Sequence, residues 1–346
     1  MTEKENFLRV LKGETPAWVP RYTMGMPDPY ATHPIPCVSI GYTNWGMKPD
    51  GKGGMVDMFG VPYTSTEETG GMFLPTPNVF VLDDIRKWRD VIKLPSLDGF
   101  DWEGEAKKAM DALDARLKNM GVSRNEVAVQ LGTHIGYFQH ICNFMGFTEG
   151  LCALLEEQEA VHELYAYLAD FYDKILANGI KYFKPDVVGI TDDTATATHP
   201  FMSKQVWHDV IMPYHVRLGR QAQEKGIPVM MHNCGRCEDF IDDWMSYGVG
   251  SWNPAQVVND LDGIKKKHGN RLVLIGCWDS QGPAGWPDAT EAVVRQAVRD
   301  CIDRFAPGGG FMFWGSRYGA KDDQNFENQK RWMTEEYEAY REHPYR

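Results

Sequence analysis

The sequence predicts a (β/α)8 barrel in a single domain spanning residues 1–346, with long N-terminal loops over the barrel mouth. Three observations carry this expectation. From residue 127 onward, short apolar runs alternate with longer amphipathic stretches, the pattern of βα units around a parallel sheet. The runs at 127–132, 186–193, 228–234, 249–254, 272–277 and 310–316 are too many crossovers for a sandwich, and two weaker candidates upstream bring the number to a barrel's eight. No repeat, low-complexity block or linker divides the chain.

Taken in order, the charged start MTEKENFLRVLKGETP reads as an amphipathic helix around Phe7, Leu8, Val10 and Leu11. Segment 18–21 is the candidate first strand, and 55–66 holds a second. The stretch 22–77 is rich in Gly, Pro and Met and reads as loops forming a lid; Cys37 falls in a Pro-rich part of it. A helix with a charged outer face is expected over 101–120. In 161–176 the apolar positions 161, 164, 165, 168, 171, 172, 175 and 176 keep helical spacing, and another helix is expected over 290–305.

Composition excludes several classes. With 36 Lys+Arg against 48 Asp+Glu the net charge is −12, and no basic run exists to displace counterions from nucleic acid. The short cluster Lys265–Lys266–Lys267 fits the exposed end of a helix. Seven scattered cysteines are no disulfide framework, and Cys142, Cys152 and Cys301 lie in helical patterns as small hydrophobes. No apolar run approaches the roughly 20 residues of a membrane span, and the start has no secretory core, so a cytoplasmic protein is expected. Phosphate-binding G-x-G-x-x-G and G-x-x-x-x-G-K-[ST] patterns, H-E-x-x-H and G-x-S-x-G are absent; Gly308–Gly309–Gly310 precedes its strand and reads as a turn.

Working residues of a parallel barrel sit where strands end. Those ends supply Gln130, Thr133 and His134, then Asp192 and Asp193, then His232, Cys234 and Cys237, Trp252 and Asn253, Cys277 and Asp279, and Trp314 to Arg317. The sharpest group is His232-Asn233-Cys234-Gly235-Arg236-Cys237. Residues two apart on a strand face the same side, so His232 and Cys234 converge on a point that suits Zn²⁺. A third ligand is needed, with Cys237 and Cys277 as candidates; Cys277, on a strand end two away, is preferred, because a helix starting at Glu238 draws Cys237 aside. Adjacent Asp192 and Asp193 cannot both face one point. One enters the site, to orient a ligand, bind metal or exchange protons, while a helix N-cap followed by a solvated acid is the bland alternative. The early methionines and Trp45 serve core or lid packing, or a pocket for a flat apolar ligand.

These segments resemble the uroporphyrinogen decarboxylase superfamily. Pro16-Ala17-Trp18-Val19-Pro20-Arg21 looks like its first strand, and 127–136, 272–282 and 308–319 resemble its third, seventh and last. The resemblance implies a distorted (β/α)8 barrel. The porphyrinogen decarboxylases carry a second arginine where this chain has Gly25, a Tyr after the fourth strand that is missing here, and a His where Arg317 stands. The cobamide-linked methyltransferases bind zinc through H-x-C and a later Cys; His232 and Cys234 match the pair, while 314–316 lacks the Cys and Cys277 is expected to substitute. What the resemblance implies is a zinc-dependent methyltransferase, an O-demethylase component acting on methoxylated aromatics with the corrinoid (cobalamin) of a corrinoid-binding partner protein. Asp192, Asp193 and Arg21 are then the expected catalytic residues, and His232, Cys234 and Cys277 the metal ligands. Gln130, His134, Trp252, Asn253, Asp279 and Trp314 are expected to contact substrate. The alternatives are a metal-free porphyrinogen-type decarboxylase and a non-catalytic ligand-binding barrel.

Overall fold

The computed structural model describes residues 1–345 except 68, 70, 133–135 and 316–322. The strands are β1 (Cys37–Ile40), β2 (Lys48–Pro49), β3 (Met55–Val56), β4 (Pro62–Thr64), β5 (Leu74–Pro75), β6 (Ala128–Gly132), β7 (Val187–Thr191), β8 (Val229–His232), β9 (Val249–Ala255), β10 (Val273–Gly276) and β11 (Phe311–Phe313). Seven of them form a curled parallel sheet in the order β1-β6-β7-β8-β9-β10-β11. The eighth position is filled by 20–22: the Phe313 N–H donates to the Pro20 carbonyl at 2.9 Å, and the Tyr22 N–H donates to the Phe313 carbonyl at 2.8 Å. This is the expected barrel, distorted because one stave is reduced to a single bridge at Arg21.

Alternation sorts the strand residues onto an inner and an outer face of the sheet. Cys37, Ala128, Val187, Met230, Val273, Ile275 and Met312 pack with Tyr22 inside the barrel. Phe7 and Val10, from the N-terminal helix Glu3–Leu11, join that cluster and close the end where the strands begin. A capping box between Thr2 and Glu5 sets the start of this helix. The opposite strand faces, such as Leu131, Val188, Met231 and Leu274, pack against the surrounding helices in the larger core.

Two expectations for the first third are corrected. Segment 55–66 supplies no stave; β3 and β4 belong to a four-stranded antiparallel sheet, β2-β3-β4-β5. Closely spaced Gly51, Gly53, Gly54 and Gly60 favour reversals there over a long strand. The stave is Cys37–Ile40, whose short apolar run lies directly behind Pro34 and Pro36. The helices Trp102–Asn119, Gln158–Phe183 and Glu291–Phe305 fall where periodicity places them, and Lys265–Lys267 lie in the last turn of Leu261–His268. No helix among the described residues is long and apolar enough to cross a membrane.

Candidate metal centre

β8 delivers His232 to the mouth on the same face as Met230, which lies in the barrel interior. Two residues on, Cys234 is held by its own N–H, which donates to Asp193 Oδ1 at 2.8 Å. The chain then turns at Gly235, where φ is +91° and a Cβ would come within 2.5 Å of the Ala195 carbonyl oxygen. Only glycine fits that turn, so His-Asn-Cys-Gly is a structural unit as well as a ligand spacing.

His232 Nε2 lies 3.8 Å from Cys234 Sγ and 3.9 Å from Asp193 Oδ1. The three ligand atoms all fall within 4.8 Å of one another. Bonds of about 2.0–2.3 Å to one tetrahedral ion place its ligand atoms roughly 3.3–3.8 Å apart; the spacings here stand at or slightly above the upper end of that range, and this nitrogen, sulfur and oxygen set is of the kind that holds zinc with a fourth position left open. Burial, with the neighbouring Asp193 carboxylate, pushes the Cys234 thiol up to about 12. A cation at this point would offset both effects.

Around the cluster, Asn253 Oδ1 accepts the His232 Nδ1 hydrogen at 2.7 Å, leaving the Nε2 lone pair directed at the site. Asp193 Oδ2 accepts a hydrogen bond from the Gln139 side-chain amide at 3.3 Å. Asp192 is elsewhere. It is wholly buried, accepts the backbone N–H groups of Phe138 and Gln139 at 3.2 Å, and pairs with His215 Nε2 at 2.9 Å. It therefore satisfies the first turn of the helix Tyr137–Met145 from outside that helix.

Of the other expected residues, Gln130 reaches Tyr22, whose hydroxyl donates to it at 3.3 Å, and Trp314 meets the Tyr22 ring edge-on at 5.5 Å. Trp252 is fully buried on the helix side and donates its indole N–H to the Asn233 carbonyl at 2.9 Å. Arg21 points toward the helix Gln324–Tyr340, pairing with Asp28 and donating to the Thr334 hydroxyl at 3.1 Å. Asp279 receives the N–H groups of Gln281 and Gly282 at 3.1 and 2.8 Å, shaping its own loop. His134 lies outside the described residues.

Cys277 is not in the cluster. Positive φ at Gly276 (119°) and Cys277 (55°) breaks the alternation at the end of β10. The side chain joins the helix-side core beside Cys301, whose thiol donates to the Cys277 carbonyl at 3.5 Å. Cys237 is also withdrawn, donating to Asn233 Oδ1 at 3.1 Å and to the Cys234 carbonyl at 3.0 Å. The third candidate donor is Asp193, one of the two adjacent acids for which metal binding was among the expected roles, although the expected ligand set had Cys277 in its place.

Trp45, Met47 and Met58, for which a flat-ligand pocket was one of the expected roles, line a cavity under the antiparallel sheet. About 470 Å³ in volume, it is walled by Tyr42, Trp45, Phe59, Phe73 and Tyr172, with Gln139 on its edge. The density of aromatic and Met residues in the early loops was its signal.

No curated protein sequence matches this chain. Among solved structures, a methyltransferase from Methanosarcina mazei is similar at 14% identity, with 98% of this chain and 99% of that one covered and a TM-score of 0.63. A uronate isomerase from Bacillus halodurans matches at 12% identity and a TM-score of 0.32, covering 67% of this chain and 55% of its own. The first likeness shows the fold over the whole chain; the second carries no argument. Over residues 74–315, from the last strand of the antiparallel sheet through the end of the barrel, the sequence matches the uroporphyrinogen decarboxylase (URO-D) family, and the chain belongs to it.

Proposed function

We propose that the chain is a zinc-dependent methyltransferase, the O-demethylase component of a system that moves a methyl group between a methoxylated aromatic and the corrinoid of a partner protein. The observation that carries this reading is the cluster of Asp193, His232 and Cys234, a donor set with an open position beside an aromatic cavity. The fold shared with the Methanosarcina mazei methyltransferase agrees with it.

His232, Cys234 and Asp193 would hold the zinc. Bound there, the ion supplies Lewis acidity toward an ether or hydroxyl oxygen. The remaining work falls to the chain itself. Asn253 fixes the His232 tautomer, Gln139 orients Asp193, and the aromatic cavity holds a flat ring away from water. The mouth is left for the corrinoid domain.

The metal-free decarboxylase has less support. A substrate with many carboxylates needs a cationic cleft, yet of the strand-end arginines among the described residues Arg21 is engaged by Asp28 and Arg236 by Glu238, Arg317 lying outside them. The test is release of the phenol from methoxybenzene derivatives. The account expects turnover only with both zinc and a cobalamin-charged corrinoid protein. Consumption of uroporphyrinogen by the isolated chain would establish the decarboxylase instead. Ligand binding without turnover of either substrate would favour a binding barrel.

A further inference from the structure

The cavity beneath the antiparallel sheet has an uneven charge. Asp57 is the only Asp, Glu, Lys or Arg among its described lining residues. His140 lines it too, but burial pushes its pKa down to about 3, so the imidazole is neutral. Tyr42, Trp45, Phe59 and Tyr172 line the same space.

Asp57 is anchored without being used up. Its Oδ1 accepts the N–H groups of Phe59 at 2.9 Å and Val61 at 3.0 Å, closing the turn between β3 and β4. Its Oδ2 accepts the Tyr63 hydroxyl at 3.3 Å, and the Asn143 amide donates to that hydroxyl at 3.1 Å. These donors are all neutral, so the charge of the carboxylate has no counter-ion beside it. Burial raises the Asp57 carboxyl, as expected of a negative group with no cation beside it.

An enclosure of aromatic rings with one carboxylate favours a cation, through the ring quadrupoles and the charge together. It opposes an anion, which would lose its hydration next to a like charge. We propose that the methyl donor is a methoxylated ring bearing a protonated amine, with the ammonium seated at Asp57, which thereby sets substrate specificity. This inference rests on the methyl-transfer reading above. Gln139 ties the two places together, lining the cavity while its amide donates to Asp193 Oδ2 at 3.3 Å.

Three probes of similar size test it by calorimetry on the full chain: 4-methoxybenzylamine, 4-methoxybenzoate and uncharged 4-methylanisole. The amine should bind at least about tenfold more tightly than the benzoate. Asp57→Asn keeps the turn-closing oxygen, so it should fold, cut amine binding by about tenfold and leave the anisole unchanged. Thermal unfolding of the variant confirms the fold. Equal or tighter benzoate binding, an unchanged preference in Asp57→Asn, or no binding of any probe at millimolar concentration would overturn the inference. If zinc- and corrinoid-dependent demethylation then proceeds on the uncharged probe, methyl transfer survives without the charge selectivity. Charge-selective binding that Asp57→Asn removes, with no methyl transfer from any probe, would leave a cation site but overturn its role as the donor site.

Discussion

Asp192 and Asp193 share a peptide bond and serve different structures. Asp192 is wholly buried against the first turn of a helix, while Asp193 lies at the barrel mouth with Oδ1 3.9 Å from His232 Nε2. The first builds the wall on which the second is displayed.

The wall depends on Gly136. A Cβ there would sit 1.9 Å from Asp192 Cγ, and the buried carboxylate, held by two N–H groups and His215, has nowhere to go. Gly136→Ala should cost about 3 kcal/mol or more in urea unfolding. Gly132→Ala, with no heavy atom within 4 Å of the new Cβ, serves as the control and should change stability little. Equal stability of the two variants would refute the assignment.

Asn253 would act on a metal held by His232 through the imidazole. Removing its carbonyl frees the imidazole to rotate and to change tautomer, so Asn253→Ala should weaken zinc binding by about 10–100-fold without emptying the site. Nitrogen NMR of the metal-free protein checks the cause: the Nδ1-protonated tautomer should dominate before substitution and lose that dominance after it.

The ligand set separates two residues that strand position alone treats alike. Asp193→Ala should weaken zinc binding more than Cys277→Ser, because only Asp193 shares the ligand cluster. Metal analysis after dialysis against a competing chelator is the measurement. A Cys277→Ser protein stripped of zinc while Asp193→Ala retains a full equivalent would reverse the assignment.

The Arg21–Asp28 pair holds the reduced stave against the C-terminal helix. Burial acts to raise the Asp28 carboxyl, but the Arg21 guanidinium and hydrogen bonds from the Tyr30 N–H and the Thr334 hydroxyl outweigh it and lower the pKa. A carboxyl depressed in the folded state stabilises above its unfolded pKa, near 4, and loses that contribution as pH falls through the folded value. Asp28→Asn should therefore cost roughly 3 kcal/mol at pH 7, and the deficit should shrink as pH drops below about 4. A deficit that does not change with pH would show that the charge is not what matters.

The barrel from β6 onward was legible because buried strands there are short, apolar and separated by helices of clear period, as in 161–176. The antiparallel sheet was not, since two- and three-residue strands such as β2 and β5 leave no alternation to read. His232 and Cys234 were legible for the same reason as the strands: a period of two puts both on one face. Cys277 was misread because that rule ends where φ turns positive, at Gly276. Trp252 was misplaced because indole size marks neither face of a strand; its neighbour Asn253 faces the mouth instead.

Titration of the metal-free chain with Co²⁺, followed by absorption, tests the metal centre most directly. The account predicts one equivalent bound, with tetrahedral d–d bands and a thiolate charge-transfer band that Cys234→Ser removes and Cys277→Ser leaves in place. No binding, or a thiolate band that survives Cys234→Ser, would contradict it.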